Sequence, residues 1–294
     1  MNKNKLIDLH HHLFPPKFEA HPWDVKTDAS DMEKLGITGV MLSCPVPMLS
    51  SEVRKINEYL KESSDFRPDQ YGFLASIPFD DPQAALDEIR YACDELQCDG
   101  FCVSSNNHDI YISDDSLDPV FEELNRRKAV VFLHPSPRRA SGYNLKLTGS
   151  MDSAYEYVFE TTRAMMDFIY KDKMLKTPDI KWIVSHAGGT IPYLSHRLSH
   201  ASEWRAAQQP YEVIYPQIQS LYYDTAMAND PAVYEMLKAV AGCKHVVFGT
   251  DYPPHKAPHI KRDIETLNGY SGYSEDEKEK VMAGNACELF PRFK

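Results

Sequence analysis

Eight short apolar runs punctuate the chain: 6–9, 37–43, 71–77, 100–103, 129–133, 180–185, 221–224 and 245–249. Their polar positions do not alternate strictly with apolar ones, which fits strands covered on both faces better than strands with one face in water. Between the runs the apolar period changes. Leu86, Ile89, Cys93 and Leu96 recur on one helical face, behind Asp81 as an N-cap and Pro82 in the first turn. The same Asp-Pro start returns at Asp118-Pro119 and Asp230-Pro231, the latter ahead of Val233, Met236, Leu237 and Val240. Ser274 and Glu277 have the spacing of a capping box for a last helix, which Gly284 is expected to end.

Strand followed by helix, repeated eight times in 294 residues, predicts an α/β chain closed into a (β/α)₈ TIM barrel. An open doubly wound sheet carries fewer strands and a glycine-rich loop, and no G-x-G-x-x-G follows the first run. The longest connections include 138–151 and 204–210. No linker, repeat or low-complexity tract divides the chain, so residues 1–294 are expected to form a single domain.

Composition narrows the partners. A formal charge of −11, from 43 acidic and 32 basic residues, opposes a nucleic-acid groove or an anionic membrane surface. A small-molecule substrate is favoured. No apolar run is long enough for a membrane span or a signal peptide, which makes the cytoplasm the expected compartment. The six cysteines lie in apolar segments without paired zinc-knuckle spacing and are read as free thiols.

Chemistry gathers at the carboxyl ends of the runs, where a parallel barrel places its active site. The first run leads into His10-His11-His12, the fifth ends in His134-Pro135, the sixth in His186-Ala187-Gly188-Gly189 and the eighth in Thr250-Asp251-Tyr252-Pro253. Strand alternation sends His10 and His12 to one side and His11 to the other, so two imidazoles can share an ion. His134 and Asp251 add a third nitrogen and a carboxylate oxygen. This set suits one divalent metal ion, zinc first, with manganese or iron as alternatives. A second ion would need a bridging carboxylate or modified lysine after the fourth run, and the stretch 100–107 contains neither group. His196 and His200 stand four apart on a predicted helix and are read as a solvated face, while His21, His108, His245 and His259 are read as structural or surface residues. His255, shortly after Asp251, is a candidate substrate contact.

These residues, in this order, resemble the amidohydrolase superfamily, in the branch that contains 2-amino-3-carboxymuconate-6-semialdehyde decarboxylase and γ-resorcylate decarboxylase. The pieces that carry the resemblance are Ile7-Asp8-Leu9-His10-His11-His12 with Pro15-Pro16, Leu133-His134-Pro135, Ser185-His186-Ala187-Gly188-Gly189, Gly249-Thr250-Asp251-Tyr252-Pro253 and Gly284-Asn285-Ala286. The resemblance implies a distorted barrel with one metal at His10, His12, His134 and Asp251, and His186 as the catalytic histidine beside a metal-bound water. The branch also contains a hydratase and a lactonase; the favoured expectation is a non-oxidative decarboxylase of an aromatic or dienoic carboxylate, with His186 as the base that takes a proton from the metal-bound water and Asp251 relaying it. The alternative is a metal-dependent hydrolase of an ester, lactone or amide with the same ligands. Arg54 and the pair Arg138-Arg139 are candidates to grip a substrate carboxylate, and Phe14, Trp23 and Tyr252 to line the mouth. A homodimer is expected by analogy alone.

Overall fold

The computed structural model describes residues 5–16, 24–136, 152–204 and 209–294. The strands are β1 (Ile7–His12), β2 (Gly39–Ser43), β3 (Tyr71–Ser76), β4 (Gly100–Ser104), β5 (Asn106–Asn107), β6 (Ile110–Tyr111), β7 (Val130–His134), β8 (Lys181–Val184), β9 (Tyr222–Asp224) and β10 (Val246–Val247). Eight of them pair in the order β1-β2-β3-β4-β7-β8-β9-β10, every pair parallel. The ends meet: Leu9 N–H donates to Phe248 O at 3.0 Å, Asp251 N–H to His10 O at 2.8 Å and His12 N–H to Tyr252 O at 2.8 Å. Closing the ring in this way leaves the sheet with no free edge, and the result is the TIM barrel expected.

All eight apolar runs contain barrel strands. β1 extends past Leu9 through all three histidines, and β10 is only two residues long. The antiparallel hairpin β5–β6 was not foreseen. Asp81 and Asp230 cap their helices as expected, and Ser274 with Glu277 forms the capping box. Asp118 does not act as an N-cap: a 3₁₀ turn over Asp115–Leu117 precedes it, and its carboxylate binds Lys173. Nor does Gly284 end a helix. Its φ is −58°, and the chain winds on through a π-helical turn at Lys280–Gly284 into the helix Asn285–Leu289.

Two apolar clusters flank the sheet. One, with Ile7, Leu9, Met41, Leu74, Cys102, Val130, Phe132, Ile183 and Val247, takes residues from seven different strands and so fills the barrel interior; Leu289, Phe290 and Phe293 pack against it. The larger cluster lies between strands and helices. Among the described residues no helix is long and apolar enough to cross a membrane.

Candidate active site

The site begins with a break in the alternation of β1. The register against β2 slips between Asp8 and His11, a bulge that adds a residue locally and re-aims side chains. Ile7 and Leu9 belong to the interior cluster. His10 also turns inward, its ring 5.0 Å from Phe132, and His12 lies 4.9 Å from His10. His11 points the other way, between Asp8 at 2.8 Å and Asp28 at 2.7 Å, and Tyr71 Oη donates to Asp28 at 2.6 Å. The middle histidine therefore pins β1 to the helix Val25–Leu35. Gly249 makes room for this packing: a Cβ there would meet the Cβ of His10 at 2.7 Å.

Three imidazoles are oriented by acceptors behind them. His10 Nδ1–H donates to buried Asp224 at 2.6 Å. His134 Nδ1–H donates to the Pro135 carbonyl at 2.8 Å, because a carbonyl can only accept. The Ser43 hydroxyl gives its single proton to His11 O at 3.0 Å, so His12 Nδ1–H donates to Ser43 Oγ at 2.9 Å. All three Nε2 atoms are left facing inward. His10 Nε2 and His12 Nε2 lie 3.2 Å apart, and Asp251 Oδ1 stands 3.3 Å and 3.0 Å from them. One ligand atom each of His10, His134, His186 and Asp251 falls within 4.8 Å of the others.

Such a convergence of lone pairs around a carboxylate repels itself unless a cation sits among them. In the metal-free protein a proton takes that role. Burial favours neutral His10, but Asp224 and Asp251 overcome it and raise its pKa to about 10. Burial, joined by the charge on His10, lowers His12 to about 4, and burial with its histidine neighbours holds His134 well below the usual imidazole range. Asp251 is held well below the usual carboxylate range: burial opposes its ionisation, and the charge and hydrogen bonds of His10, His12 and His186 prevail. The donor set thus fits a divalent ion bound by nitrogen and oxygen.

His186 differs from the other three. It follows β8 in a left-handed turn, φ 54° at His186 and 55° at Ala187, and Gly188 and Gly189 continue it with φ 73° and 64°. A Cβ on Gly189 would stand 2.1 Å from Val158 O. His186 Nε2 lies 3.5 Å from Asp251 Oδ2, while its buried Nδ1 has no hydrogen-bond partner among the described residues. Its tautomer is not fixed from behind. A buried ring nitrogen without a protein partner calls for a group that the protein itself does not supply.

A cavity of about 410 Å³ opens onto His12, His134, His186 and Asp251, with Phe14, Pro45, Val46, Pro47, Pro135 and Pro254 as apolar walls. Asn106, His108, Ser153 and Tyr157 complete its lining. Phe14 is at the mouth as expected. Tyr252 is not: its ring packs 5.3 Å from His11 and its hydroxyl donates to Asp31 at 2.7 Å. His255 also stands apart from the lining, its Nε2 bonded to Asp263 at 2.9 Å. Arg54 binds Glu88 at 2.7 Å and covers the Tyr91 ring at 3.7 Å, away from the cavity. Trp23, Arg138 and Arg139 lie outside the described residues. The His196 and His200 rings lie 4.4 Å apart on the helix Ile191–Trp204, outside the cavity.

Sequence reasoning passed over Asp224 and Asn106, and it read His108 as a structural or surface residue; His108 is exposed, at the rim of the cavity. Asp224 carries the same signal that singled out Asp251, a carboxylate ending an apolar run. The stretch Asn106-Asn107-His108-Asp109 has the polar, turn-forming composition of a two-residue hairpin loop.

The profile of the amidohydrolase family matches residues 7–292. A 6-methylsalicylic acid decarboxylase of Penicillium expansum is 34% identical over 319 residues, which span 98% of this chain and 97% of that protein. A 2-amino-3-carboxymuconate-6-semialdehyde decarboxylase of Dictyostelium discoideum is 25% identical over 242 residues, 80% of this chain and 65% of that one. Among solved structures, a dihydroxybenzoic acid decarboxylase from Polaromonas sp. JS666, with bound manganese and the inhibitor 2-nitroresorcinol, superposes with a TM-score of 0.84 at 20% identity. That match covers 99% of this chain and 98% of the other and supports the fold.

Proposed function

The chain belongs to the amidohydrolase family, and on that premise we propose that it removes CO₂ from an aromatic carboxylate without an oxidant, using one divalent metal ion. The observation that carries this reading is His186, its buried Nδ1 without a hydrogen-bond partner among the described residues and its Nε2 3.5 Å from Asp251, beside three imidazoles whose inward nitrogens are already oriented. His10, His12, His134 and Asp251 would hold the ion. Zinc suits this mixed nitrogen and oxygen set, and manganese is the ion of the structural relative. When bound, the ion would supply Lewis-acid charge to the site.

The chain's own residues do the rest. Phe14 and the proline walls seat a planar ring. His186 delivers its proton to the ring carbon that bears the carboxylate. The bond from that carbon to the carboxylate then breaks, its electron pair restores the aromatic ring, and neutral CO₂ leaves. The apolar walls favour this direction, because a carboxylate loses hydration there and CO₂ has little to lose. Asp251 Oδ2 faces His186 Nε2 and holds the imidazole over the reacting position. Hydrolysis of an ester, lactone or amide would use the same ligands, but the relative that is 34% identical carries a decarboxylase name.

The test is CO₂ release by the metal-loaded protein from 6-methylsalicylic acid and the dihydroxybenzoic acids, with metal content measured on the same sample. His186→Gln is expected to keep its metal and lose about 10²–10⁴ in rate, the usual share of a general acid or base. Full turnover by that variant refutes the assignment.

A further inference from the structure

We propose that Cys93 and Cys98 form a peroxide-reactive dithiol, in which Cys93 attacks a hydroperoxide and Cys98 then closes a disulfide with it. The pair stands at the amino end of β4, whose other end, Ser104, pairs with His134. It is therefore across the barrel from the cavity, and the inference is independent of the function proposed above. Of the six cysteines, Cys44, Cys102, Cys243 and Cys287 are buried, while Cys93 and Cys98 are partly exposed. Burial holds the Cys102, Cys243 and Cys287 thiols above the ordinary thiol range. Buried thiols of that kind are inert.

The chain brings the two sulfurs together. Cys93 lies in the last turn of the helix Pro82–Asp94. Beyond it, Leu96 N–H donates to Tyr91 O at 3.1 Å and Cys98 N–H to Ala92 O at 2.9 Å, so the segment that follows the helix folds back over its final turn. Gln97, with φ 54°, makes the reversal. Cys98 is thus bonded to the residue beside Cys93, and its thiol donates a hydrogen bond to the Cys93 sulfur. Arg127 arrives from the end of the helix Asp118–Arg126, held by Asp94 at 3.0 Å and Glu123 at 2.6 Å, and it too donates to Cys93.

A partly exposed thiol beside a guanidinium is the setting in which cysteine reacts. The hydrogen bond from Cys98 acts most strongly on Cys93, burial and Asp94 oppose it, and Arg127 tips the balance, lowering the Cys93 thiol from 9.0 to about 7. At neutral pH about half of it is thiolate, against about 1% for a thiol of ordinary value. That thiolate attacks hydrogen peroxide: an S–O bond forms, the O–O bond breaks, and the hydroxide that leaves takes up the proton Cys93 had lost. The Cys98 sulfur then attacks the sulfenic acid. The S–S bond forms as the S–O bond breaks, and the oxygen departs as a second water with the Cys98 proton. Two thiols are oxidised and one peroxide is reduced to two waters.

The test uses the whole chain. Wild type, Cys93→Ser and Cys98→Ser are reduced, freed of reductant, treated with a small excess of hydrogen peroxide at neutral pH, blocked with iodoacetamide and digested with trypsin. Cleavage after Arg90 and Arg126 leaves Cys93, Cys98 and Cys102 in one peptide. The wild-type peptide is expected to lose two hydrogen atoms and to carry a single blocking group, on Cys102. Fragmentation should place the bond between Cys93 and Cys98, and dithiothreitol should restore both thiols. Cys98→Ser is expected to stop at a Cys93 sulfenic acid that dimedone traps, and Cys93→Ser to form no disulfide within this peptide. Wild type in which both residues still take the blocking group overturns the proposal. So does a bond to Cys102 or to a second molecule, and so does dimedone on Cys98 in place of Cys93. The wild-type digest decides the matter whether or not a variant folds.

Discussion

Replacing Asp224 by asparagine tests how the proposed metal centre is assembled. The carboxylate accepts three hydrogen bonds, from His10 Nδ1 at 2.6 Å, Ala187 N at 3.3 Å and Ala226 N at 3.2 Å. Asparagine is nearly isosteric but has one acceptor and one NH₂ group. If its oxygen faces His10, the NH₂ opposes two backbone N–H groups in a fully buried site, at about 1–3 kcal/mol for each donor left unpaired. If its oxygen faces those donors, the NH₂ confronts Nδ1 and drives the His10 proton to Nε2, which removes the lone pair offered to the ion. Either orientation weakens the site. Loss of a carboxylate partner behind a ligating histidine typically lowers metal affinity about 10–100-fold, or about 1.4–2.7 kcal/mol. Competition against a chromogenic chelator at fixed pH measures the affinity. Melting curves taken with excess chelator separate that loss from a general loss of stability. A variant that held its ion within about threefold of the parent would show that Asp224 does not orient His10 for metal binding, and the argument from fixed tautomers would fail.

Metal affinity should depend on pH in a defined direction. His10 in the metal-free protein keeps a proton up to about pH 10, and the ion must displace it. Apparent affinity is therefore expected to fall about tenfold for each unit of acidification below that value, read by the same chelator competition, and a flat profile would contradict it. Gly249→Ala puts a methyl group 2.7 Å from the His10 Cβ, and should cost about 1–3 kcal/mol in chemical unfolding as well as metal content. Burial alone would favour neutral His11, yet Asp28 and Asp8 raise its pKa from 6.5 to about 10. A raised value means that its stabilisation is complete below pH 6.5 and is lost as pH climbs through 10. Asp28→Asn should therefore lower the melting midpoint most in acid, with the gap to wild type closing in alkali.

Hydrophobic pattern determined the most about this chain. A strand covered on both faces needs apolar residues on both, and a helix on the barrel surface needs them at a period near 3.6, so the eight units and their order were legible along the sequence. The ligand candidates were legible as well, because a parallel barrel brings all its strand ends to one mouth, and histidine and aspartate stand out where apolar runs stop. What the sequence left open were relations between residues far apart in the chain. The bulge that turns His10 inward depends on register with β2. The proton positions on His10, His12 and His134 depend on Asp224, Ser43 and a carbonyl supplied by other segments or by a local turn. Tyr252 and His255 follow Asp251 closely in sequence, yet Asp31 and Asp263 draw their side chains away from the cavity. His108 is exposed, in keeping with its reading as a structural or surface residue, and only the hairpin brings it to the rim of the cavity. Local pattern fixes which face of a strand or helix is apolar, since that is a property of neighbours in the chain. Which polar atom meets which is decided by packing, since a hydrogen bond needs a few tenths of an ångström that only the closed barrel defines.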